Sequence, residues 1–377
     1  MPDLDLDIER FWKDDELAQK DHCFNPASPQ VAMGIQMENG CVFSELGEDG
    51  AEWGFTPRDR RIELNKRYNE KALKLVGRKL LAEDFPTDDM KLPEYRNIGE
   101  VFGGTYEFDG TTIWLESHMD GPEDLEKKLN WIDSLDKEAF RRFVLPANWD
   151  SEKKRIYETY GIKPSVFRGI RGPVTLACSV YGIENLTYLY YDDIDLYKRF
   201  ASSITDVIFR YVELFDEEAG YAPGTAPHGF GVCDDNSCMM NPEMYGDFAY
   251  PILKAVFDRL SPDPDDWRYQ HSDSAMGHNI PWLAKLNLTA CNFGPTVSVS
   301  EIRKYMPSTC IEGVLAPFTF MRNDREGIRK EFLRDFEQIQ EFGTKGLKFA
   351  TAGSVNNGSS LESYRYIMAL IQNYGRY

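Results

Sequence analysis

The chain has 377 residues, of which 42% are hydrophobic and 13% aromatic, enough to bury a sizeable core. Its 43 basic and 62 acidic residues give a formal net charge of −19, which argues against a nucleic-acid partner or an anionic membrane, because both require a positive surface. Seven scattered cysteines without a CxxC motif, a polar amino terminus and no long apolar run lead us to expect a cytoplasmic protein without disulfides or membrane spans.

Residues 1–90 differ in pattern from the rest of the chain. The segment VAMGIQMENGCVFSEL predicts a β-hairpin around Asn39 and Gly40, because this pair tolerates positive φ. The segment IELNKRYNEKALKLVGRKLLAEDF predicts an amphipathic helix, since its apolar residues recur at helical spacing. We expect residues 1–90 to form an N-terminal extension that covers a barrel and does not fold independently.

Residues 91–377 show a regular alternation of short β-rich segments with helical patterns such as LYKRFASSITDVIFRYVELF and REGIRKEFLRDFEQIQEF. Alternation of this kind indicates parallel βαβ units, and seven or eight such units favour an α/β fold of the (β/α)8 TIM barrel type. The sequence has neither a GxGxxG motif after a strand nor a GxxxxGK[ST] loop, which argues against dinucleotide or NTP binding. The predicted strands are TTIWLES (111–117), SVFRGIRG (165–172), GFGVCDD (229–235), RYQHSD (268–273), LTACNFG (288–294), TCIEGVL (309–315) and LKFATAG (347–353).

Polar and thiol side chains gather at the carboxyl ends of these strands, where barrels carry their active groups. Two kinds of site fit them. The first is a zinc site in which Asp235 and His271 are joined by Glu312 or Cys310. The second is metal-free acid/base catalysis in which Asp273 or Asp235 tunes His271.

Several of these residues also have plainer explanations, which the sequence leaves open. Asp235 suits a helix N-cap, Asp273 suits a turn, and Cys310 suits a small buried hydrophobe. Glu312 is harder to explain in this way, because a glutamate inside an apolar strand needs a cation or strong donors. His278, close to His271 in sequence, is expected at the rim.

Two arginines on one strand, Arg168 and Arg171, suit an anionic group of a substrate, because guanidinium matches carboxylate and phosphate geometry. In so acidic a chain they equally suit ion pairs with surface carboxylates.

Several segments together resemble the uroporphyrinogen decarboxylase superfamily. The resemblance covers residues 165–377 and, more weakly, 91–164, and it implies a (β/α)8 barrel. The resembling segments, with the family features they match, are RGPVTLACSVYGIENL (a glycine-proline segment ending in G-x-E), VCDDNSCMMNPEMYGDFAYPILKAVFDRL (a strand-end acidic pair and its following helix), YQHSDSAMGHNIPWLAKLNLTACNFGP (an H-x-D-G unit), TCIEGVLAP (an x-G-N-x-D-P strand) and SLESYRYIMALIQNYGRY (the terminal helix).

The resemblance implies one of two activities. Decarboxylases of this superfamily use no metal, and their arginine-bearing signature, close to RQAGRYLPE, is absent here; TPRDRRIELNKRY does not replace it. Corrinoid-linked methyltransferases bind zinc at the barrel mouth and pass methyl groups between a small molecule and a corrinoid protein. Members that act on coenzyme M resemble one another in an H-x-C motif, which here reads His271-Ser-Asp273, and in a later cysteine, near Ala352 or Gly353 here.

The predicted zinc ligands include carboxylates where the members acting on coenzyme M have thiolates, and this difference indicates which methyl transfer to expect. Zinc held by histidine and carboxylates is a stronger Lewis acid, which suits a methyl ether or methylamine donor better than a thiol acceptor. We therefore expect a zinc-dependent methyltransferase that demethylates a small compound, O-demethylation included, with the corrinoid carried by a partner protein.

The resemblance and the strand ends together give the predicted site. Asp235, His271 and Glu312 are the leading zinc ligands, and Cys310 and Asp273 are alternates or orient the histidine. Catalysis is assigned to His271, Asp273 and Asp235. The residues predicted to contact the substrate are Arg168, Tyr245, Asn292 and Phe293.

Two rival functions stay open, as does a homodimer. The first is a metal-independent decarboxylase of the uroporphyrinogen type. The second is a small-molecule-binding barrel without catalysis.

Overall fold

The computed structural model describes residues 4–50, 52–108, 113–116 and 119–377. The chain divides into two compact units. The first comprises Met1–Phe85, Gln270–Ile280 and Asn287–Tyr377, and the second comprises Pro86–Tyr269 and Pro281–Leu286. Within the described ranges, no helix is both long and apolar enough to cross a membrane.

Strands and helices alternate along most of the chain, which confirms the α/β class. The strands are β1 (Ala32–Met33), β2 (Thr105–Phe108), β3 (Ile113–Glu116), β4 (Gly169–Arg171), β5 (Phe230–Cys233), β6 (Arg268–Ser272), β7 (Ala290–Phe293), β8 (Cys310–Glu312) and β9 (Leu347–Phe349). The helices are α1 (Ile8–Ala18), α2 (Cys41–Leu46), α3 (Arg58–Val76), α4 (Ile98–Val101), α5 (Pro122–Ser134), α6 (Lys137–Val144), α7 (Trp149–Tyr160), α8 (Pro173–Tyr181), α9 (Ile183–Asp192), α10 (Ile194–Glu218), α11 (Pro242–Asp247), α12 (Ala249–Leu260), α13 (Ile280–Leu283), α14 (Val299–Tyr305), α15 (Pro317–Met321), α16 (Arg325–Glu341) and α17 (Leu361–Tyr374).

The main sheet has seven strands in the order β1-β9-β8-β7-β6-β5-β4. β1 runs parallel to β9, β9 to β8, β8 to β7, and β4 to β5. Parallel strands need crossover connections, which the helices between successive strands provide. Every strand predicted from residue 165 onward lies in this sheet, and parallel strands carry the side chains after their carboxyl ends to one edge.

The hairpin predicted at Asn39 and Gly40 is wrong. Ala32–Met33 pairs in parallel with β9, and α2 begins directly after Gly40. Gly40 has a right-handed helical conformation (φ −59°), and the side chain of Asn39 accepts a hydrogen bond from Asn65 on α3. The Asn-Gly pair therefore opens a helix, and the amino-terminal segment contributes a strand to the main sheet.

The predicted strand TTIWLES lies partly outside the described residues. Its described part, β3, pairs antiparallel with β2 in a separate two-stranded sheet. The prediction of a parallel strand is therefore wrong for Ile113–Glu116.

In the first unit, helices pack on one face of the strands. The amphipathic helix predicted within residues 62–85 is confirmed as α3, which ends at Gly77 in the left-handed conformation (φ +78°). Phe332 of α16 meets Phe349 of β9 edge-on at 5.0 Å between ring centroids. Because side chains alternate along a strand, Lys348 points to the opposite face, away from the helices.

Candidate functional site

A row of polar side chains crosses the face of the first unit's sheet that points away from the helices. Asn292 of β7 is in register with Glu312 of β8, which is in register with Lys348 of β9. Residues paired in register point to the same side of a sheet. Asn292 also contacts His271 of β6, so the row begins at β6 with the histidine that the sequence analysis predicted.

The amide of Asn292 is held in one orientation by three backbone groups. Its Nδ2 donates to the carbonyl oxygens of Glu312 (2.8 Å) and Thr351 (3.0 Å), and its Oδ1 accepts from the N–H of Gly353 (3.1 Å). A carbonyl can act only as acceptor and an amide N–H only as donor, so the oxygen of Asn292 is identified by its partners.

His271 is oriented by that oxygen. Its Nδ1 lies 2.8 Å from Oδ1 of Asn292 and must carry the proton, since the amide oxygen cannot donate. In the neutral imidazole the lone pair is then on Nε2. Metal-binding histidines are usually prepared in this way, with one ring nitrogen hydrogen-bonded and the other left for the ion.

Asp273 lies beside His271, just past the end of β6. A carboxylate oxygen of Asp273 and a ring nitrogen of His271 are within 4.8 Å of each other, a spacing compatible with ligands of one ion. The side chain of Asp273 is exposed.

Two glycines fix the surroundings of this pair. A Cβ on Gly294 would come within 2.1 Å of the backbone oxygen of Asp273, so the chains approach as closely as glycine allows. Gly353, at φ +77°, is so close that a Cβ would lie 3.6 Å from both Oδ2 of Asp273 and Cε1 of His271. The loop after β9 therefore borders the His271–Asp273 pair.

Glu312 has a cation, as the sequence required of a glutamate inside an apolar strand. Its Oε1 lies 2.6 Å from Nζ of Lys348, and each side chain is about a quarter exposed. Burial alone would lower the pKa of Lys348, but Glu312 and the thiols of Cys23 and Cys310 raise it to about 12. The negative charge of Glu312 is thus balanced by a lysine that stays protonated.

Cys310 is turned toward Cys23. A hydrogen bond from the Cys310 thiol to Cys23 and burial together raise the pKa of Cys310 well above its ordinary value. A ligand thiol must be deprotonated, and both residues are almost completely buried. Neither Cys310 nor Glu312 belongs to a group of described residues whose donor atoms could share an ion.

In the second unit, the acidic pair after β5 divides into two roles. Asp234 is fully buried and accepts hydrogen bonds from the backbone N–H groups of Thr175 (2.8 Å) and Val174 (3.4 Å) in the first turn of α8. Burial raises the pKa of Asp234 to about 6, although these hydrogen bonds lower it. Asp234 is therefore the structural carboxylate of the pair.

Asp235 is half-buried and begins a short 3-10 helix, Asp235–Met239. The N-cap role considered for it belongs to Asn241, whose side chain accepts from the N–H of Met244 at the start of α11. Asp235 lies two residues past the end of β5, a parallel strand.

The residues predicted to contact a substrate are distributed differently. The guanidinium of Arg168 is bound to Asp216 at 2.9 Å and to the carbonyl oxygen of Pro227 at 2.8 Å, so its charge is already paired. Tyr245 is completely buried, which raises its pKa. Phe293 is completely buried and alternates to the face opposite Asn292, which removes it from the site. Asn292 is the member of this group that reaches His271.

A large cavity in the second unit lies elsewhere. Its volume is about 1240 Å³, and it borders the residues before β4, with Arg96, Arg142 and Phe167 in its walls. The amino end of a parallel strand is the end away from the catalytic groups of barrel enzymes, so this cavity does not define the candidate site.

Comparison with known proteins gives the family. No curated protein matches this chain in sequence. Among solved structures, a methyltransferase from Methanosarcina mazei is similar, with a TM-score of 0.55 and 15% sequence identity over 92% of this chain and 94% of that one. At this identity the likeness concerns the fold. The family model of uroporphyrinogen decarboxylase matches residues 154–374, more than half of the chain. The chain belongs to the uroporphyrinogen decarboxylase family and has its (β/α)8-barrel fold.

Proposed function

We propose that this protein is a zinc-dependent methyltransferase that moves a methyl group from a small methylated compound, of the methyl ether or methylamine type, to a corrinoid carried by a partner protein. The observation that supports it best is the hydrogen bond from His271 to Asn292. That bond fixes the tautomer of His271 in which Nε2 carries the lone pair that a Lewis acid would bind, and a carboxylate oxygen of Asp273 lies within 4.8 Å of a ring nitrogen.

The proposed ligands are His271, Asp273 and Asp235. His271 and Asp273, in the first unit, lie within the spacing of ligands of one ion. Asp235, in the second unit, is included because it follows the end of β5. One nitrogen and two carboxylates suit zinc, which takes three protein ligands in catalytic sites and keeps a position open. Glu312, paired with Lys348, and Cys310, paired with Cys23, are not included.

When bound, the ion would draw electron density from the oxygen or nitrogen that carries the methyl group, so that this atom leaves more readily with the bonding electron pair. The residues of the chain supply orientation. Asn292 holds the imidazole of His271 in one tautomer, and Gly294 packs closely on the backbone of Asp273.

Metal content and methyl transfer test the proposal together. We expect about one zinc per chain after purification, and transfer of methyl groups from methoxylated compounds to free cob(I)alamin, followed by its absorbance, that a chelator abolishes and zinc restores. His271→Asn and Asp235→Asn should lower both zinc content and transfer, and His278→Asn should change neither.

A second group of described residues, His228, Asp263 and Asp266, also satisfies the spacing of a shared ion and lies before β5 and β6. Zinc counts should therefore be measured in a His228→Asn background, which removes this group. Protein that binds no zinc at the strand ends contradicts the proposal, and release of carbon dioxide from a carboxylated substrate by metal-free protein would favour the decarboxylase instead.

A further inference from the structure

A histidine and two aspartates lie together in the second unit, where two neighbouring strands begin. His228 comes two residues before β5, and Asp263 and Asp266 belong to the acidic, proline-rich loop between α12 and β6. Nδ1 of His228 is 3.1 Å from Oδ2 of Asp266 and 3.5 Å from Oδ2 of Asp263. The three donor atoms, one nitrogen and two carboxylate oxygens, are all within 4.8 Å of one another.

The spacing of these atoms is that of ligands around one ion. Zinc binds histidine nitrogen and carboxylate oxygen at about 2.0–2.2 Å, and in a tetrahedral site this places neighbouring ligand atoms roughly 3.3–3.6 Å apart. The two distances from His228 are close to this range. Small rotations of the side chains therefore suffice to admit an ion between them.

The histidine is the only basic group that faces the two carboxylates. Among the described residues, no lysine or arginine forms an ion pair with Asp263 or Asp266. The arginines nearby are already paired, Arg168 with Asp216 and Arg259 with Glu213. With a neutral imidazole the group carries two negative charges, which a divalent cation would balance.

The backbone on both sides of His228 is held by hydrogen bonds. The carbonyl oxygen of Pro227 accepts from Nε of Arg168 at 2.8 Å, and the N–H of Gly229 donates to the carbonyl oxygen of Leu260 at 2.8 Å. The imidazole therefore starts from a fixed position at the beginning of β5.

The loop that carries the two aspartates is closed on itself. The N–H of Asp263 donates to Oδ2 of Asp266 at 2.8 Å, and Oγ of Ser261 donates to the carbonyl oxygen of Trp267 at 2.9 Å, across the base of the loop. A carboxylate oxygen that accepts one hydrogen bond keeps a lone pair for a metal. Ligands that are held in place lose little conformational freedom when an ion binds.

We propose that His228, Asp263 and Asp266 bind a zinc ion, which fastens the loop between α12 and β6 to the chain segment that leads into β5. None of the three residues is a ligand in the proposed function, and the proposal does not depend on that function. Three protein ligands leave a position for water, and the side chains of His228 and Asp263 are exposed. We therefore expect this ion to exchange with solvent and the site to fill when zinc is added, rather than to keep its metal through purification.

Zinc titration of the full chain tests the proposal without methyl transfer. Zinc chloride is added to metal-free His271→Asn protein in competition with a chromophoric chelator, and we expect one zinc to bind per chain. Adding His228→Asn or Asp266→Asn to this protein should weaken zinc binding at least about 10-fold, since the loss of a residue that only orients a ligand already has an effect of this size. Asp266→Asn keeps an oxygen for the N–H of Asp263, so the loop can stay closed.

Asp265→Asn is the matched control, because Asp265 is exposed, lies in the same loop and loses the same charge, but does not belong to the group. It should leave zinc binding unchanged. The proposal is overturned if His271→Asn protein binds no zinc, or if Asp265→Asn weakens binding as much as Asp266→Asn, which would mean general attraction to an acidic loop. Failure of the proposed function gives a different result: the unchanged protein in excess zinc would then bind one ion, which His228→Asn removes and His271→Asn keeps.

Discussion

Oδ1 of Asn292 accepts a hydrogen bond of 2.8 Å from Nδ1 of His271, and the amide thereby fixes Nε2 as the imidazole nitrogen that carries the lone pair. Backbone groups in turn fix the orientation of the Asn292 amide. Two carbonyl oxygens and one N–H group fix the amide of Asn292, and they come from the ends of two strands, β8 and β9. The histidine is thus oriented by the sheet rather than by its own loop.

Removal of this amide should weaken metal binding. In Asn292→Leu, a side chain of similar size, the imidazole loses its acceptor and the carbonyl oxygens of Glu312 and Thr351 lose a donor. We expect zinc affinity to fall about 10-fold to 100-fold, as when other groups that orient metal ligands are removed. Competition with a chromophoric chelator measures the change.

The control for Asn292→Leu is His278→Asn, a change at the neighbouring histidine, which should bind zinc like the unchanged protein. Equal affinity in Asn292→Leu would show that the orientation of His271 does not depend on this hydrogen bond.

Strand periodicity was enough to predict where the polar side chains lie along the chain. His271 and Asn292 were placed from apolar runs that stop at polar residues, and Glu312 was placed inside an apolar run. The structure has strands ending at or next to each of them. The hydrogen-bond or ion-pair partner of each side chain could not be predicted from the sequence, because it depends on the register between strands. Lys348 pairs with Glu312 only because β8 and β9 align these positions.

The errors have physical causes of the same kind. Phe293 follows Asn292 directly, and an offset of one residue turns its side chain to the helices. Asn39-Gly40 has the composition of a hairpin turn, but a helix start accepts it equally well. Arg171 had the same signal as Arg168, and the difference between them is the presence of Asp216 next to one of them.

A variant of Glu312 tests whether Glu312 is a zinc ligand, as the sequence predicted, or only the ion-pair partner of Lys348. Glu312→Gln removes the charge that balances Lys348, so we expect the free energy of unfolding to fall by about 1–3 kcal/mol. Zinc affinity should change less than about threefold, because Glu312 is not among the proposed ligands. Urea unfolding and chelator competition measure the two effects. A large loss of zinc would instead return Glu312 to the ligand set.

The double variant Glu312→Gln/Lys348→Met is the control for that experiment. It removes both charges, and it should recover part of the stability, since no unbalanced charge is left.

The close contact between Gly294 and Asp273 should be sensitive to one methyl group. Gly294→Ala would place a Cβ at 2.1 Å from the backbone oxygen of Asp273, so the end of β6 must move. We expect the free energy of unfolding to fall by about 1–3 kcal/mol and zinc affinity by about 10-fold or more. Gly40→Ala is the control, since a Cβ there meets no atom within 4 Å. If Gly294→Ala lost stability but bound zinc normally, Asp273 would not be a ligand.

Asp335 of α16 should make stability depend on pH. It is completely buried, Nε of Arg334 donates to its Oδ1 at 2.7 Å, and its Oδ2 has no hydrogen-bond partner. Burial raises the pKa of Asp335 from 3.8 to about 6, although Arg334 lowers it. The folded state therefore holds this proton more tightly than the unfolded state, so the stability it contributes is present below about pH 3.8 and is lost as the pH rises through 6.

Asp335→Asn keeps an oxygen for Arg334 and removes the titration. We expect the unchanged protein to lose up to about 3 kcal/mol relative to Asp335→Asn between pH 4 and pH 7, since each unit of pKa corresponds to about 1.4 kcal/mol. Urea unfolding at four values of pH in this range measures the difference. Glu337→Gln, an exposed change on the same helix, should give a difference that is constant with pH. A constant difference for Asp335→Asn as well would mean that the carboxyl of Asp335 titrates alike in the folded and unfolded states.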